Sequence, residues 1–329
     1  MGSPASLVVI VLNFRTPDIT IDCLRTLAPE AKHNPGMKVI LVDNASGDNS
    51  VEKIETAIKQ NGWDSGWLEF RPLQINLGFA GGNNLVLREQ MNLPSPPRYL
   101  LLLNSDTLLR PGCITTCTAI MEADPKIGAL SCMLRNLDGS VQNPCRKFPE
   151  PFIAAISAIG LPWLLPPLFR WADLDDGGWD RTVGPRDVEW IGGAFFFTRT
   201  STLQEAGILD EDFFFLGEDC EWCYRIHKHG WKIRFDPSAE IVHFGGASSD
   251  ATRVRNFAKN VHTWRARFLV QRKCYGTFEE SILRNIYLLM FRLRLAVLSI
   301  TLRGRSEKAD FLRGEVEEIY ASINRAKIP

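Results

Sequence analysis

The chain has no net charge: 38 Lys and Arg offset 38 Asp and Glu over 329 residues. It has no internal repeat and no low-complexity segment, which excludes solenoids and compositionally biased linkers. No basic, apolar leader precedes the first strand, which begins by Leu7, so a cytoplasmic protein is expected. The eight cysteines lack the spacing of a disulfide framework; only Cys220 and Cys223 stand close, inside an acidic helical stretch. Packed, reduced thiols suit that compartment, with a zinc or redox pair as the alternative. Nor does any apolar run span a bilayer as one helix. Pro151–Phe169 carries no charge over 19 residues, but Pro162, Pro166 and Pro167 interrupt it.

What charge there is lies unevenly. Residues 1–250 hold 22 basic against 31 acidic side chains, net −9, and residues 251–329 hold 16 against 7, net +9. A basic tail on an acidic body meets either anionic lipid or nucleic acid. No nucleic-acid motif occurs in it, so lipid is expected and nucleic acid is not.

Hydrophobic residues make up 45% and charged residues 23%, which suits one large globular domain or a domain with an appendage. The first half alternates strand and helix. Strands are expected at Leu7–Leu12, Lys38–Asp43, Leu68–Leu73, Tyr99–Leu103 and Ile127–Leu134. Helices are expected at Asp18–Leu27, after Asn49 as cap, from Gly82 to Gln90 and near Ile114–Ala123. Repeated βα units argue a doubly wound, mostly parallel α/β sheet. After Leu134 the alternation breaks. Val188–Arg199 reads as one strand, Gly217–Gly230 as a helix closed by its last glycine, Lys232–Phe235 and Glu240–Phe244 as two short strands, and the chain from Asp250 onward as helix.

Two strands deliver an aspartate, Asp43 in "LVDNAS" and Asp106 in "LNSDT". Either alone reads as a turn residue. Both at the ends of adjacent strands, where open parallel sheets bind ligands, point to a shared site. The Gly-rich stretch "NLGFAGGNN" (Asn76–Asn84) between them permits close backbone approach and leads into a helix N-terminus that favours phosphate. It follows the third strand, not the first, and so is not a dinucleotide fingerprint.

"VVIVLNFRTPD", "VILVDNASGDNS", "INLGFAGGNN", "LLLLNSDTLLRPG", "IGGAFFFTR", "LDEDFFFLGEDCEWCYRIHKHGWKI" and "IVHFGGASS" occur in this order over roughly residues 6–250. Together they resemble the family-two inverting glycosyltransferases of the GT-A fold, and rhamnosyltransferase-like bacterial members in particular. The resemblance implies a GT-A domain over 1–250, with a nucleotide-sugar half to about 135 and an acceptor half to 250, followed by a basic helical region over 251–329. One departure stands out: the family's metal motif is Asp-x-Asp, and here its first position is Asn104.

The resemblance implies a nucleotide-sugar site on Asn13, Arg15, Asp43, Asn44, Gly78, Gly81, Asn83, Asn84, Asn104, Ser105 and Asp106. It puts the acceptor against Trp190, Gly192, Gly193 and Glu218, the general base at Asp219, and a divalent cation, Mn2+ or Mg2+, on Asp106 with His243. The chemistry agrees. A leaving diphosphate needs its charge offset, which a hard cation with oxygen ligands does. The apolar run Phe213–Phe215 desolvates a neighbouring carboxylate, raising its pKa toward a useful range. Each residue also has a plainer reading: His243 bonded to backbone, Glu218 and Asp219 capping a helix, Gly192 and Gly193 at a strand bulge, Arg15 at the surface.

Two segments bear on the acceptor. Pro151–Phe169 is either a buried connection or an apolar lip facing lipid. In Ser281–Arg305, Ile282, Ile286, Leu289, Leu293, Val297 and Ile300 share one helical face opposite Arg284, Arg292 and Arg303, which suits either an interfacial or a packing helix. The expected activity is inverting transfer of a sugar, with rhamnose from a thymidine-diphosphate donor (dTDP-rhamnose) foremost, to a lipid-linked or cell-envelope glycan at the cytoplasmic face of a membrane. A uridine-diphosphate hexose or galactofuranose transferase, and a non-catalytic sugar-nucleotide binder on the same fold, are the alternatives.

Overall fold

The computed structural model describes residues 6–176, 179–245, 253–301 and the positions 314, 316–317, 319–321 and 323–325. In chain order the elements begin β1 (Leu7–Asn13), α1 (Pro17–His33), β2 (Met37–Asp43), α2 (Ser50–Asn61), β3 (Leu68–Pro72) and α3 (Gly78–Met91). Then come β4 (Tyr99–Asn104), β5 (Thr107–Leu109), α4 (Cys113–Ala123), β6 (Ile127–Arg135) and β7 (Cys145–Arg146). Three short helices follow, α5 (Pro151–Ala158), α6 (Leu161–Leu164) and α7 (Pro166–Phe169). The chain returns to strand at β8 (Arg186–Asp187), β9 (Trp190–Ile191) and β10 (Phe195–Arg199), and continues with α8 (Thr200–Ala206), α9 (Glu218–Lys228) and β11 (Lys232–His243). It closes with α10 (Arg253–Cys274) and α11 (Thr277–Thr301).

The described residues form two compact units. The first comprises residues up to Arg146, Trp179–Phe214 and Trp222–Ser248. Its sheet runs β3-β2-β1-β4-β10-β6-β11-β5, with β8 on β11. β1 pairs in parallel with β2 and with β4, and β2 with β3. Beyond β4 the sheet is mixed, because β10 enters antiparallel to both β4 and β6 while β11 runs parallel to β6. Leu100–Leu103 of β4 are almost fully buried, as expected of a strand covered by helices on both faces.

Several expected boundaries shift. α3 starts at Gly78, four residues before the expected Gly82, so the Gly-rich stretch forms the helix's own first turns. α1 runs on to His33 with Pro29 inside it, forgoing one backbone donor; the buried Glu30 carboxylate then accepts the N–H groups of Gly112 and Ile114 at the start of α4. Asn49 makes no side-chain cap; Asp48 Oδ1 instead accepts the Ser50 N–H at 2.9 Å. The expected strand Val188–Arg199 is broken at Gly192–Gly193. The two expected short strands are one, β11, whose register with β6 slips between Asp236 and Glu240 where Pro237 cannot donate to the ladder. All eight cysteines are free thiols and seven are buried, as packed thiols would be.

The second unit gathers 147–178, Phe215–Glu221 and the chain after Ser248. Its core joins Ala154 of α5, Phe268 of α10, Leu283 and Tyr287 of α11, and Ile323. Inside it Glu280, 4% exposed, holds Arg284 at 2.7 Å, and that guanidinium lies 4.2 Å above the Phe268 ring. Pro151–Phe169 is a run of three short helices rather than a buried connection: Ala154 and Ile156 are buried, whereas Phe152, Trp163, Leu164, Leu165 and Leu168 are exposed. On α11 the side chains of Ile282, Leu289, Leu293 and Val297 are exposed while Leu283 and Tyr287 are buried. The side chain of Ile300 and the whole of Arg303 lie outside the described residues. Among the described residues no helix is long and apolar enough to cross a membrane.

Candidate active site

In-register pairing sets Asn13 beside Asp43 and Leu12 beside Asn104, so β1, β2 and β4 release their chains at the same end of the sheet. The two aspartates lie on opposite sides of β1 rather than on adjacent strands. Asp43 closes β2, and Asp106 follows β4 by two residues. Asn13 and Asp43 are buried and bonded to each other, Asn13 Nδ2 donating to Asp43 Oδ2 at 2.6 Å. Ser46 donates to the same oxygen at 2.6 Å and its N–H to Asp43 Oδ1 at 3.0 Å. Asn13 Oδ1 accepts the Thr20 hydroxyl at 2.8 Å. These two side chains are therefore engaged in bracing the loops. The loops carry strained backbone: Arg15 (φ 59°) and Ala45 (φ 56°), each two residues past its strand, are in the left-handed region, a recurrent feature of functional sites. Arg15 is exposed and tied back through Nε to Ser46 O at 2.9 Å.

Asn44 locks the entrance to α3. Its amide donates to Asn76 Oδ1 and Gly78 O, both at 3.0 Å, and accepts the Leu77 N–H at 3.0 Å. The glycines are there for packing. A Cβ on Gly82 would stand 2.7 Å from Leu12 Cδ1, and one on Gly78 (φ +71°) 2.5 Å from Phe214 O. Gly81 has a similar constraint, 2.9 Å from Leu77 Cβ. Asn83 donates to Phe79 O, and Asn84 to Leu209 O and Glu211 Oε1, each within 2.9 Å. Both asparagines are buried, and Asn84 Oδ1 is without a hydrogen-bond partner.

Asp106, 6% exposed, faces His243 of β11, with Oδ1 3.3 Å from Nε2. Asn104 Nδ2 lies 3.5 Å from the same nitrogen. The opposite ring nitrogen, Nδ1, is 2.8 Å from Gln142 Oε1. Phe244 donates its N–H to Asp106 O at 2.9 Å, fixing the two segments together; Ser105 beside them is buried. Among the described residues no three His, Cys, Asp or Glu side chains converge as a metal cluster; those residues bring one carboxylate and one imidazole together here.

On the expected acceptor side, Trp190 of β9 lies under Arg146, whose guanidinium carbon is 5.3 Å from the ring centroid. Gly192 donates to Pro144 O at 2.8 Å, and a Cβ on Gly193 would press on Phe79 at 3.2 Å. Glu218 and Asp219 open α9 after two left-handed residues, Leu216 (φ 71°) and Gly217 (φ 90°). Asp219 Oδ1 accepts the Cys220 N–H at 2.8 Å. Glu218 is 5% exposed and its Oε2 is without a hydrogen-bond partner. Burial pushes its carboxyl up to about 8, and the charge of Asp219 adds to the shift. The desolvated carboxylate of the pair is thus Glu218. The aromatic run before it divides: Phe213 is buried, Phe214 and Phe215 exposed.

Sequence reasoning passed over Ser46 and Gln142. Ser46 was legible as the serine of an Asp-x-x-Ser turn, whose amide commonly returns to the aspartate. Nothing in the sequence marks Gln142.

Comparison with known proteins comes from sequence and from structure. The family model described as "Glycosyltransferase like family 2" matches residues 4–261. An N-acetylglucosaminyl-diphospho-decaprenol L-rhamnosyltransferase of Mycobacterium tuberculosis is 26% identical over 217 residues, 63% of this chain and 66% of that protein, just short of two thirds of its length. Rhamnosyltransferase WbbL of Escherichia coli is 22% identical over 177 residues, 51% of this chain and 61% of that one. The mannosyltransferase PcManGT of Pyrobaculum calidifontis, solved with GDP-Man and Mn2+, superposes with TM-score 0.57 at 14% identity, over 98% of this chain and 86% of that one. The fold is therefore GT-A-like.

The buried Glu218 makes a prediction about stability. The unfolded carboxyl ionises in the ordinary range, whereas the folded one keeps its proton to about pH 8. Its contribution is full below the ordinary carboxylate range and is lost as the pH rises toward 8. Glu218→Gln, which mimics the protonated form, should therefore gain about 1 kcal/mol or more on the native protein between pH 5 and pH 8 in urea denaturation. An equal difference at both pH values would mean that Glu218 is ionised in the folded state.

Proposed function

Because the chain belongs to glycosyltransferase-like family 2, a family of transferases, we propose that it moves rhamnose from dTDP-rhamnose, with inversion, to a lipid-linked or cell-envelope saccharide. The observation that carries this reading is that β1, β2 and β4 end together at one edge of the sheet, where α/β sheets take nucleotides, and that Asp106 just past β4 meets His243. Similarity to two rhamnosyltransferases, one of them named for a decaprenol-diphosphate-linked acceptor, supports the sugar and the acceptor class. A second reading, transfer of another hexose, is favoured by a hexosyltransferase of Haloferax volcanii that is 25% identical over 251 residues. Residues 1–250 would form the catalytic domain and 251–329 a basic appendage, a boundary near the end of the family match at 261.

In this reading Asp106 and His243 hold a divalent cation. A carboxylate oxygen and an imidazole nitrogen 3.3 Å apart are a fitting donor pair, and the nitrogen favours Mn2+ over Mg2+. When bound, the cation offsets charge on the leaving diphosphate. The protein's own groups do the rest. Arg15 presents its guanidinium to a phosphate, on a loop braced by Asn13, Asp43 and Ser46. Asp219 takes the proton of the acceptor hydroxyl as that oxygen attacks the anomeric carbon. The bond from that carbon to the diphosphate oxygen breaks on the opposite face, which inverts the configuration. Glu218, protonated at neutral pH, donates a hydrogen bond to a sugar hydroxyl.

Three outcomes follow from these assignments. With one carboxylate at the site among the described residues, Mn2+ should bind weakly alone and much more tightly with dTDP present; Asp106→Ala should abolish that cooperativity in calorimetry without unfolding the chain. Asp219→Asn should lower sugar transfer by roughly 10²-fold or more, with dTDP affinity unchanged, because the base faces the acceptor. Retained transfer in that variant would place the base elsewhere. The exposed Phe152, Trp163, Leu164 and Leu168, with the basic C-terminal region, should bring the protein to the cytoplasmic face of an anionic membrane. Sedimentation with anionic vesicles should exceed that with neutral ones and fall with added salt. Equal or absent binding on both would assign these surfaces to protein packing.

A further inference from the structure

We propose that Gln142 is a positioning residue for this site: its amide oxygen takes the Nδ1 proton of His243 and thereby turns the Nε2 lone pair toward Asp106. The proposal rests on the cation reading above and adds to it a residue outside every ligand position considered so far. It stands on a chain of hydrogen bonds whose polarity is set at one end. Asp138 can only accept when ionised, and the Ser140 hydroxyl donates to it at 2.6 Å, reinforced by the Ser140 N–H at 2.9 Å. Those bonds hold the Asp138 carboxyl below its ordinary range.

Ser140 Oγ, having given its proton to Asp138, accepts from Asn136 Nδ2 at 2.8 Å. That fixes the Asn136 amide, so its oxygen faces Gln142 Nε2 at 2.6 Å. Gln142 Nε2 also donates to His243 O at 2.7 Å, which independently fixes the second amide. Its oxygen must then accept, and the only proton available to the 2.8 Å contact is the one on His243 Nδ1. A neutral imidazole with its proton on Nδ1 carries a lone pair on Nε2, here 3.3 Å from a carboxylate oxygen. Two lone pairs facing each other across that distance repel unless a cation or a proton lies between them. Ligating histidines commonly show this second-nitrogen hydrogen bond.

The scaffold that carries the relay is stiff. Asn136–Ser140 is a closed turn, with the Asn136 N–H donating to Ser140 O at 2.8 Å, the Gly139 N–H to Asn136 O at 3.0 Å, and Gly139 at φ +82°. The Gln142 N–H donates to Leu134 O at 2.8 Å, which sets the side chain's starting point at the end of β6.

The test uses the full chain and two variants. Gln142→Met keeps the length and removes both amide atoms; Gln142→Glu keeps an acceptor for Nδ1 but gives up the donor to Asn136 Oδ1 and His243 O. In the metal-free proteins at pH 8, nitrogen NMR of the His243 ring should report the proton on Nδ1 in the native chain and in Gln142→Glu, and should lose that state in Gln142→Met. Electron paramagnetic titration of Mn2+ in the presence of dTDP should show affinity about 10–100-fold weaker in Gln142→Met. Gln142→Glu, which keeps the Nδ1 acceptor but not the amide donor, should lose less than Gln142→Met. If Gln142→Met keeps both the Nδ1 proton and native Mn2+ affinity, Gln142 is a packing residue and the proposal is overturned. A native chain that binds dTDP yet takes up no Mn2+ defeats the cation reading instead. The ring spectra of the metal-free proteins still decide the role of Gln142 in that event.

Discussion

The site depends on one constraint, the parallel register of β1 between β2 and β4. Asn13 lies opposite Asp43, and Leu12 opposite Asn104, so three chains leave the sheet within a residue of one another. Each strand residue advances the chain by about 3.3 Å, and a slip of one would also exchange the two faces of β1, setting each buried side chain against the wrong layer. Neither error is tolerable in strands covered on both faces, as Val8–Val11 and Leu100–Leu103 are. The core thus fixes the loops, and the loops fix Arg15 and Asp106.

Polar groups at the strand ends divide the labour. Asn13, Asp43 and Ser46 satisfy one another, which offsets the cost of two left-handed residues, each on the order of 1–3 kcal/mol. Asn44 does the same for the entrance to α3. Side chains so occupied act by holding backbone in place. In the proposed reading the ligand-facing work falls instead to His243, Asp106, Arg15 and Glu218.

The half of the fold with βα alternation was legible because buried parallel strands and amphipathic helices have distinct periods. The mixed half was not, since Phe195–Phe197 reads as a buried strand without saying which way it runs. Pro237 made one strand look like two, and the glycines at 78–82 looked like a loop although they open a helix: Gly82 is required by contact with β1, and Gly78 by its left-handed backbone and the closeness of Phe214. In the site, Asp106 and His243 were visible through family motifs, and they do meet. Asn83 and Asn84 were equally visible as polar residues beside glycine, but helix packing buries both. Gln142 depends on a turn some hundred residues from its partner, a relation that no local pattern encodes.

The antiparallel seam between β4 and β10 has a consequence for biogenesis. Leu103 pairs with Phe195, so about 90 residues must leave the ribosome before the edge of β4 is covered. At ordinary synthesis rates that delay is roughly 5–20 s, far longer than local helices need to form. Throughout it the nascent chain offers an apolar strand edge, the template for association with another chain. A ribosome stalled anywhere in that interval would leave a sticky fragment, and slow codons there would raise the demand for chaperones.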